Sequence, residues 1–208
     1  LGGYNGYLQV DGYAGYDKTS ATLVGCWAHA RRKFKEAEIA QPKGKTGKAN
    51  MALNYIQKLY RLEIILKDKN AAEKYQGRQE KAKPLLAQFY QWLEKANVPP
   101  KTALGKAIQY CKNQWHKLSR YIEDGNLTID NNRAERAIKP FVIGRKNWLF
   151  SNTANGARAS AMHYSLIETA KANGLIPFDY LMYCLEQLSQ PEVDINTLLP
   201  WNVKLIEQ

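Results

Sequence analysis

Tyr7-Leu8-Gln9-Val10-Asp11-Gly12 and Thr22-Leu23-Val24-Gly25-Cys26-Trp27 are the two stretches that decide the fold class. Each is short, rich in residues that favour a pleated backbone, and bounded by a breaker, so each reads as a strand. Asp11-Gly12 ends the first. Ala28 to Ile39, which follows the second, carries no glycine or proline and reads as a helix. Strand, loop, strand and helix in that order make an α/β signature.

Outward from that start, the chain changes texture twice. Gln41 to Lys48 is a basic stretch containing proline and glycines, and reads as an exposed linker. From Ala49 to Ile122 the pattern is wholly helical, with Ala52, Ile56, Leu59 and Tyr60 on one face and Leu85, Leu86, Phe89, Trp92 and Leu93 on another segment. Leu104, Ile108, Cys111, Trp115, Leu118 and Ile122 form one stripe of a third helix, beyond Pro99-Pro100. Such stripes are the core of a helical subdomain rather than a site. After Gly125, Leu127 to Asp130 leads into a short helix over Asn131 to Ile138 that Pro140 should stop or kink. Gly156 to Ala172 reads as a helix ended by Asn173-Gly174, and Pro177 opens another through Leu188. The resulting division is 1–40, the first part of a core; 41–125, a helical insertion; 126–190, the second part of the core; and 191–208, a tail without strong periodicity.

Composition narrows the function classes. The 208 residues hold 45% hydrophobic side chains, enough for a substantial core, which argues against disorder. Thirty Lys and Arg against 19 Asp and Glu leave a formal charge of +11, which favours a polyanionic partner, nucleic acid first and an anionic membrane surface second. Cys26, Cys111 and Cys184 are odd in number and show no CxxC pair, arguing for a reducing compartment, the cytosol. No apolar run approaches the roughly 20 residues that span a bilayer. The start, Leu1-Gly2-Gly3-Tyr4, resembles neither an initiator segment nor a signal peptide, and suggests a piece of a longer protein.

Two acids are unusually placed. Asp11 stands at the end of a short apolar strand, and Glu135 in the first turn of an arginine-rich helix. Divalent-metal phosphoryl transfer needs clustered carboxylates on rigid elements, because Mg²⁺ prefers hard oxygen ligands. Each acid also has a plain structural reading. Asp11-Gly12 is a common turn pair, and Asn132 with Glu135 has the spacing of a capping box. Cys26 and His29 form a C-x2-H element, half a zinc site at best; Cys26 reads better as a buried small hydrophobe. Arg31, Arg32, Lys33 and Lys35, and later Arg133, Arg136, Lys139, Arg145, Lys146 and Arg158, are cations near the two acids, and suit a site that holds a phosphodiester. Trp148, Phe150 and Tyr164 read as core or as base-stacking platforms.

Four phrases resemble the insertion-sequence-66 family of transposases: Leu8 to Tyr16, Gly25 to Phe34, Asp130 to Pro140, and Gly144 to Ser151. The tail Leu199-Pro200-Trp201-Asn202 is similar to the C-terminal end of that family, so the resemblance covers essentially the whole chain. It implies a partial RNase H-like α/β fold with a large all-helical insertion and C-terminal helices. It also implies a DDE triad in which Asp11 matches the second Asp and Glu135 the Glu, both holding Mg²⁺ or Mn²⁺. Cys26 and His29 match a C-x2-H signature that supports such sites. DNA would be contacted by Arg31, Arg32, Lys33, Arg133, Arg136, Lys139, Arg145 and Lys146, at transposon ends and target, by a homo-oligomer in the bacterial cytoplasm, at the nucleoid and away from membranes. The first Asp would lie before Leu1, so this polypeptide by itself is expected not to cut DNA. Two rivals stand beside that expectation: a non-catalytic DNA-binding or assembly remnant of a decayed element, and a structure-selective nuclease of the same fold.

Overall fold

The computed structural model describes residues 3–41, 47–148 and 151–203. The linker expected at 41–48 falls mostly outside these residues, as does Phe150. The chain divides into two compact units, Leu1–Arg133 and Ala134–Gln208.

In the first unit, β1 (Tyr7–Val10) pairs in parallel with β2 (Thr22–Gly25), Tyr7 opposite Thr22 and Val10 opposite Gly25. A 3-10 turn, Ala14–Lys18, lies in the crossover. Gly12, at φ +93°, turns the chain out of β1, a backbone angle that L side chains resist. Helix α1 (Trp27–Ile39) follows directly, as the absence of breakers predicts.

Among the described residues, five α-helices complete this unit: α2 (Lys48–Ile65), α3 (Ala71–Gly77), α4 (Lys83–Lys95), α5 (Ala103–Asn113) and α6 (Trp115–Leu118). They do not form a separate core. Ala52, Ile56 and Leu59 of α2, Phe89 and Leu93 of α4, and Cys111 of α5 are buried in one cluster with Val24, Trp27 and Phe34. Phe89 is the hub of its aromatic part, stacked on Tyr55 at 5.0 Å and edge-on to Trp115 at 5.9 Å. Such ring pairs add about 0.5–1.5 kcal/mol beyond area burial.

The stripe from Leu104 to Ile122 does bury Ile108, Cys111, Leu118 and Ile122, but no single helix carries it. The helix breaks at Gln114, whose backbone leaves helical geometry, and resumes as α6 and a 3-10 turn, Ser119–Ile122. The break serves β2 and α1. The Trp27 indole donates to the Leu118 carbonyl at 2.9 Å, and Arg120 donates to the Leu23 carbonyl at 2.9 Å.

A π-helical turn, Arg78–Ala82, links α3 to α4 and carries Arg78, only 2% exposed. Its guanidinium grips both oxygens of Glu63, at 3.0 and 2.6 Å, and the carbonyls of Tyr121, Asp124 and Leu127 at 2.8–2.9 Å. One planar fork thus ties α2 to the irregular segment before Asp130. Gly125 is needed within that segment, because a Cβ there would meet the Ala71 carbonyl oxygen at 1.8 Å.

The second unit is built from α7 (Asn132–Trp148), which begins at the boundary, α8 (Ala154–Ala172) and α9 (Pro177–Leu188). Pro140 does not end α7, contrary to the sequence expectation of a short helix; the helix runs on to Trp148. Proline removes the amide that would bond the Arg136 carbonyl, and Arg136 is exposed, so water can take that carbonyl. Gly174, at φ +78°, ends α8 as expected, and Pro177 starts α9. The core here is small: Ala170, Tyr180 and Val203 are buried, with Leu175, Leu181, Tyr183 and Cys184 against them. The described residues are thus mostly helical, with a two-stranded parallel sheet in the first unit, compatible with the α/β reading. Among the described residues, no helix is long and apolar enough to cross a membrane.

Candidate functional site

Asp11 occupies the position just past the carboxyl end of β1, and its side chain is exposed. Its Oδ1 accepts the Tyr13 amide at 3.0 Å, and its carbonyl oxygen accepts the Tyr110 hydroxyl at 3.2 Å. The turn reading of Asp11-Gly12 is therefore part of the geometry. Tyr110 comes from α5, and Lys33 of α1 lays its ammonium 4.9 Å from the centre of that ring. Burial, followed by the neighbouring Cys26, Cys111 and Asp11, pushes the Tyr110 phenol up to about 12. It is a proton donor at any physiological pH. The carboxyl end of a strand is where a parallel sheet presents its chemistry.

Cys26 and His29 sit at the junction of β2 and α1. Cys26 is 1% exposed, as a small buried hydrophobe should be, and burial pushes its thiol upward against the pull of nearby backbone amides, Asn131 first. His29 is half-buried on the first turns of α1. No group of three or more His, Cys, Asp or Glu suited to a metal gathers among the described residues.

The junction also receives the segment that leads to Glu135. The Trp27 amide donates to the Ile129 carbonyl at 3.1 Å, so residues 129–131 are laid against the start of α1. Asp130 is anchored twice, by the Tyr60 hydroxyl at 2.9 Å and by the Asn132 amide at 3.1 Å. Burial, then Asp130 itself, raises the Tyr60 phenol far above its ordinary range, so it remains a donor. Asn132 stands inside α7, its amide satisfied by Asp130; the capping role expected of Asn132 is thereby corrected. Glu135 is half-buried in the first turn of α7, where a carboxylate is favoured by the helix dipole.

Among the expected DNA contacts, Arg31 and Arg32 are exposed on α1, and Lys33 is half-buried over Tyr110. Arg133, Arg136, Lys139, Arg145 and Lys146 are all exposed along α7. Trp148 and Tyr164 pack with Phe141 in an aromatic trio, with centroids 5.2–6.2 Å apart. Asp11 belongs to the first unit and Glu135 to the second.

Tyr110, Tyr60 and the anchoring role of Asp130 escape a reading of the sequence. Asp130, two residues ahead of a helix start, carries the signal of a side chain that bonds the backbone two positions on. The two tyrosines carry none, because their partners are remote along the chain.

Comparison with known proteins agrees with the phrases quoted above. Residues 1–159 match the family model described as "Transposase IS66 family", and residues 165–201 match the "IS66 C-terminal element". The chain belongs to the IS66 transposase family. It is 37% identical over 98% of its length to the uncharacterized protein y4qI of Sinorhizobium fredii, covering 40% of that protein. It is 32% identical to the uncharacterized protein y4jD of the same organism, covering 42% of it. The chain thus spans less than half the length of these curated relatives. No solved structure matches it.

Proposed function

We propose that this chain is the C-terminal part of the catalytic domain of a DNA transposase, with an RNase H-like core in which Asp11 and Glu135 are two of three metal-holding carboxylates. The observation that carries the proposal is the position of Asp11: an exposed carboxylate just past the carboxyl end of a parallel strand, inside a segment matched by the transposase family. On this reading residues 1–40 and 126–190 are parts of the core, 41–125 is a helical insertion and 191–208 a tail. The first Asp belongs to the portion of the full-length protein that precedes Leu1.

The donor chemistry fits a divalent ion. Asp11 and Glu135 offer hard oxygens, and Asp11 is held at both ends, its Oδ1 by the Tyr13 amide and its carbonyl by Tyr110. Bound Mg²⁺ or Mn²⁺ would lower the pKa of an attacking water or hydroxyl and offset charge developing at the phosphodiester. The protein's own task is positioning: the rigid strand end and the first turn of α7 fix the two carboxylates, while Arg31, Arg32, Lys33, Arg133, Arg136, Lys139, Arg145 and Lys146 hold backbone phosphates. Cys26 and His29 support the junction from which α1 starts. The partners are transposon ends and target DNA, met by a homo-oligomer in the bacterial cytoplasm.

The test is Glu135→Gln in the full-length protein that contains this segment, which keeps shape and removes charge. Transposition should fall to the level of an enzyme-free control while the protein still binds DNA. Transposition at the wild-type frequency would overturn the assignment. Salt-dependent DNA binding with no response to divalent ions in either protein would favour the binding-only module instead.

A further inference from the structure

Between α1 and α2 runs an open groove of about 680 Å³, lined among others by Arg31, Arg32 and Lys35 of α1 and by Gln57, Tyr60 and Arg61 of α2. Arg31 and Lys35 are one turn apart on α1, and Gln57 and Arg61 are one turn apart on α2, so two polar rows face the groove from both sides. Lys35 is engaged by Glu38. Arg31, Arg32 and Arg61 have no carboxylate partner among the described residues. Asp130, the acid bonded to the lining residues Tyr60 and Asn132, is already satisfied by the Tyr60 hydroxyl and the Asn132 amide.

We infer that this groove is a binding site for the phosphate backbone of duplex DNA, with α2 as one of its walls, so that Arg61 and Gln57 join the DNA-contacting surface. The inference rests on the reading of the chain as a DNA-acting protein and extends that surface to a helix outside the quoted family phrases. Three chemical features select this ligand. Guanidinium forks match phosphate oxygens two at a time. The groove is open and carries cations on both of its walls, Arg31, Arg32 and Lys35 on one and Arg61 on the other, which suits a polyanion passing between them. Nothing in its lining presents the enclosed apolar walls of a small-molecule pocket. Contacts of this kind fix register and carry no sequence information, so binding here is sequence-independent.

The test is fluorescence anisotropy of the 208-residue chain with a random-sequence DNA duplex across a salt series. Each phosphate contact contributes about 0.9 to the slope of log K against log salt, so Arg31→Gln with Arg61→Gln should make the slope shallower by about 2. Arg31→Lys with Arg61→Lys should retain most of it. A control of equal charge, Lys74→Gln with Lys101→Gln outside the groove, should leave the slope unchanged. Arg31, Arg61 and Lys101 are exposed and Lys74 is half-buried, and matching thermal melts of all variants establish that the fold is intact. A wild-type slope in the Arg31/Arg61 variant, an equal loss in the control, or no duplex binding by the parent chain would overturn the inference. Inorganic phosphate that displaces the duplex at low millimolar concentration would overturn it in favour of a small-anion site. The Glu135→Gln transposition result is independent of all these outcomes, so failure of the groove and failure of the enzymatic reading are distinguishable.

Discussion

The phenol of Tyr60, in the C-terminal part of α2, donates to Asp130 at 2.9 Å, and that same carboxylate takes the amide of Asn132 at the start of the Glu135 helix. A single side chain in the helical segment thereby sets the entry into α7. Hydrogen bonds to a charged acceptor contribute more than neutral ones, so Tyr60→Phe should cost about 1 to 2 kcal/mol in urea unfolding. Under the proposed function, the same change in the full-length protein should reduce transposition more than it reduces DNA binding, because it alters position and not charge. Asp11 illustrates the other side of residue-scale reading. Its turn role and its exposed carboxylate coexist, since one oxygen and the carbonyl serve the turn. The placement of Asp11 past a strand end, of Cys26 and His29 at a strand-to-helix junction and of Glu135 in a first helix turn was legible in the sequence, because it follows local pattern. Tyr110 and Tyr60 were not, because each acts through a partner on another element.

At the scale of elements, Arg78 is the most connected side chain. A buried cation survives only where its hydrogen bonds and charge are met, and here Glu63 and three carbonyls meet them. Arg78→Met leaves Glu63 and those carbonyls without a donor, and should destabilise the first unit by about 3–5 kcal/mol in denaturant titration. A loss below 1 kcal/mol would mean that the segment from Tyr121 to Leu127 is held by other contacts. Helix periodicity announced most of these elements, with bounds close to those found for α1, α8 and α9. It failed at Gln114 and at Pro140, in opposite directions. Gln114 breaks a perfect stripe because Leu118 and Arg120 must reach Trp27 and β2, and Pro140 is tolerated on a helix whose residue four positions back, Arg136, is exposed.

At the scale of the whole molecule, the two units differ in how much they bury. The first has a continuous core from Val24 to Ile129, whereas the second leaves Ile138, Val142, Phe178, Met182, Leu185 and Leu188 more than 40% exposed. Residues 1–133 expressed alone should therefore unfold cooperatively in a thermal melt with the helical circular dichroism of six packed helices, while residues 134–208 alone should show a broad, weak transition. A broad transition for 1–133 would show that its core depends on the second unit.

The order of strands and helices, the basic surplus and the placement of two acids at a strand end and a helix start follow from local pattern, which is why they can be read along the chain: backbone propensity, breakers and charge act between near neighbours. Which helices share a core with the sheet, which phenols hold Asp11 and Asp130, and which arginine of α2 faces those of α1 were decided only by packing. Those contacts join residues distant in sequence, and no periodicity of the chain encodes a partner that only burial brings near.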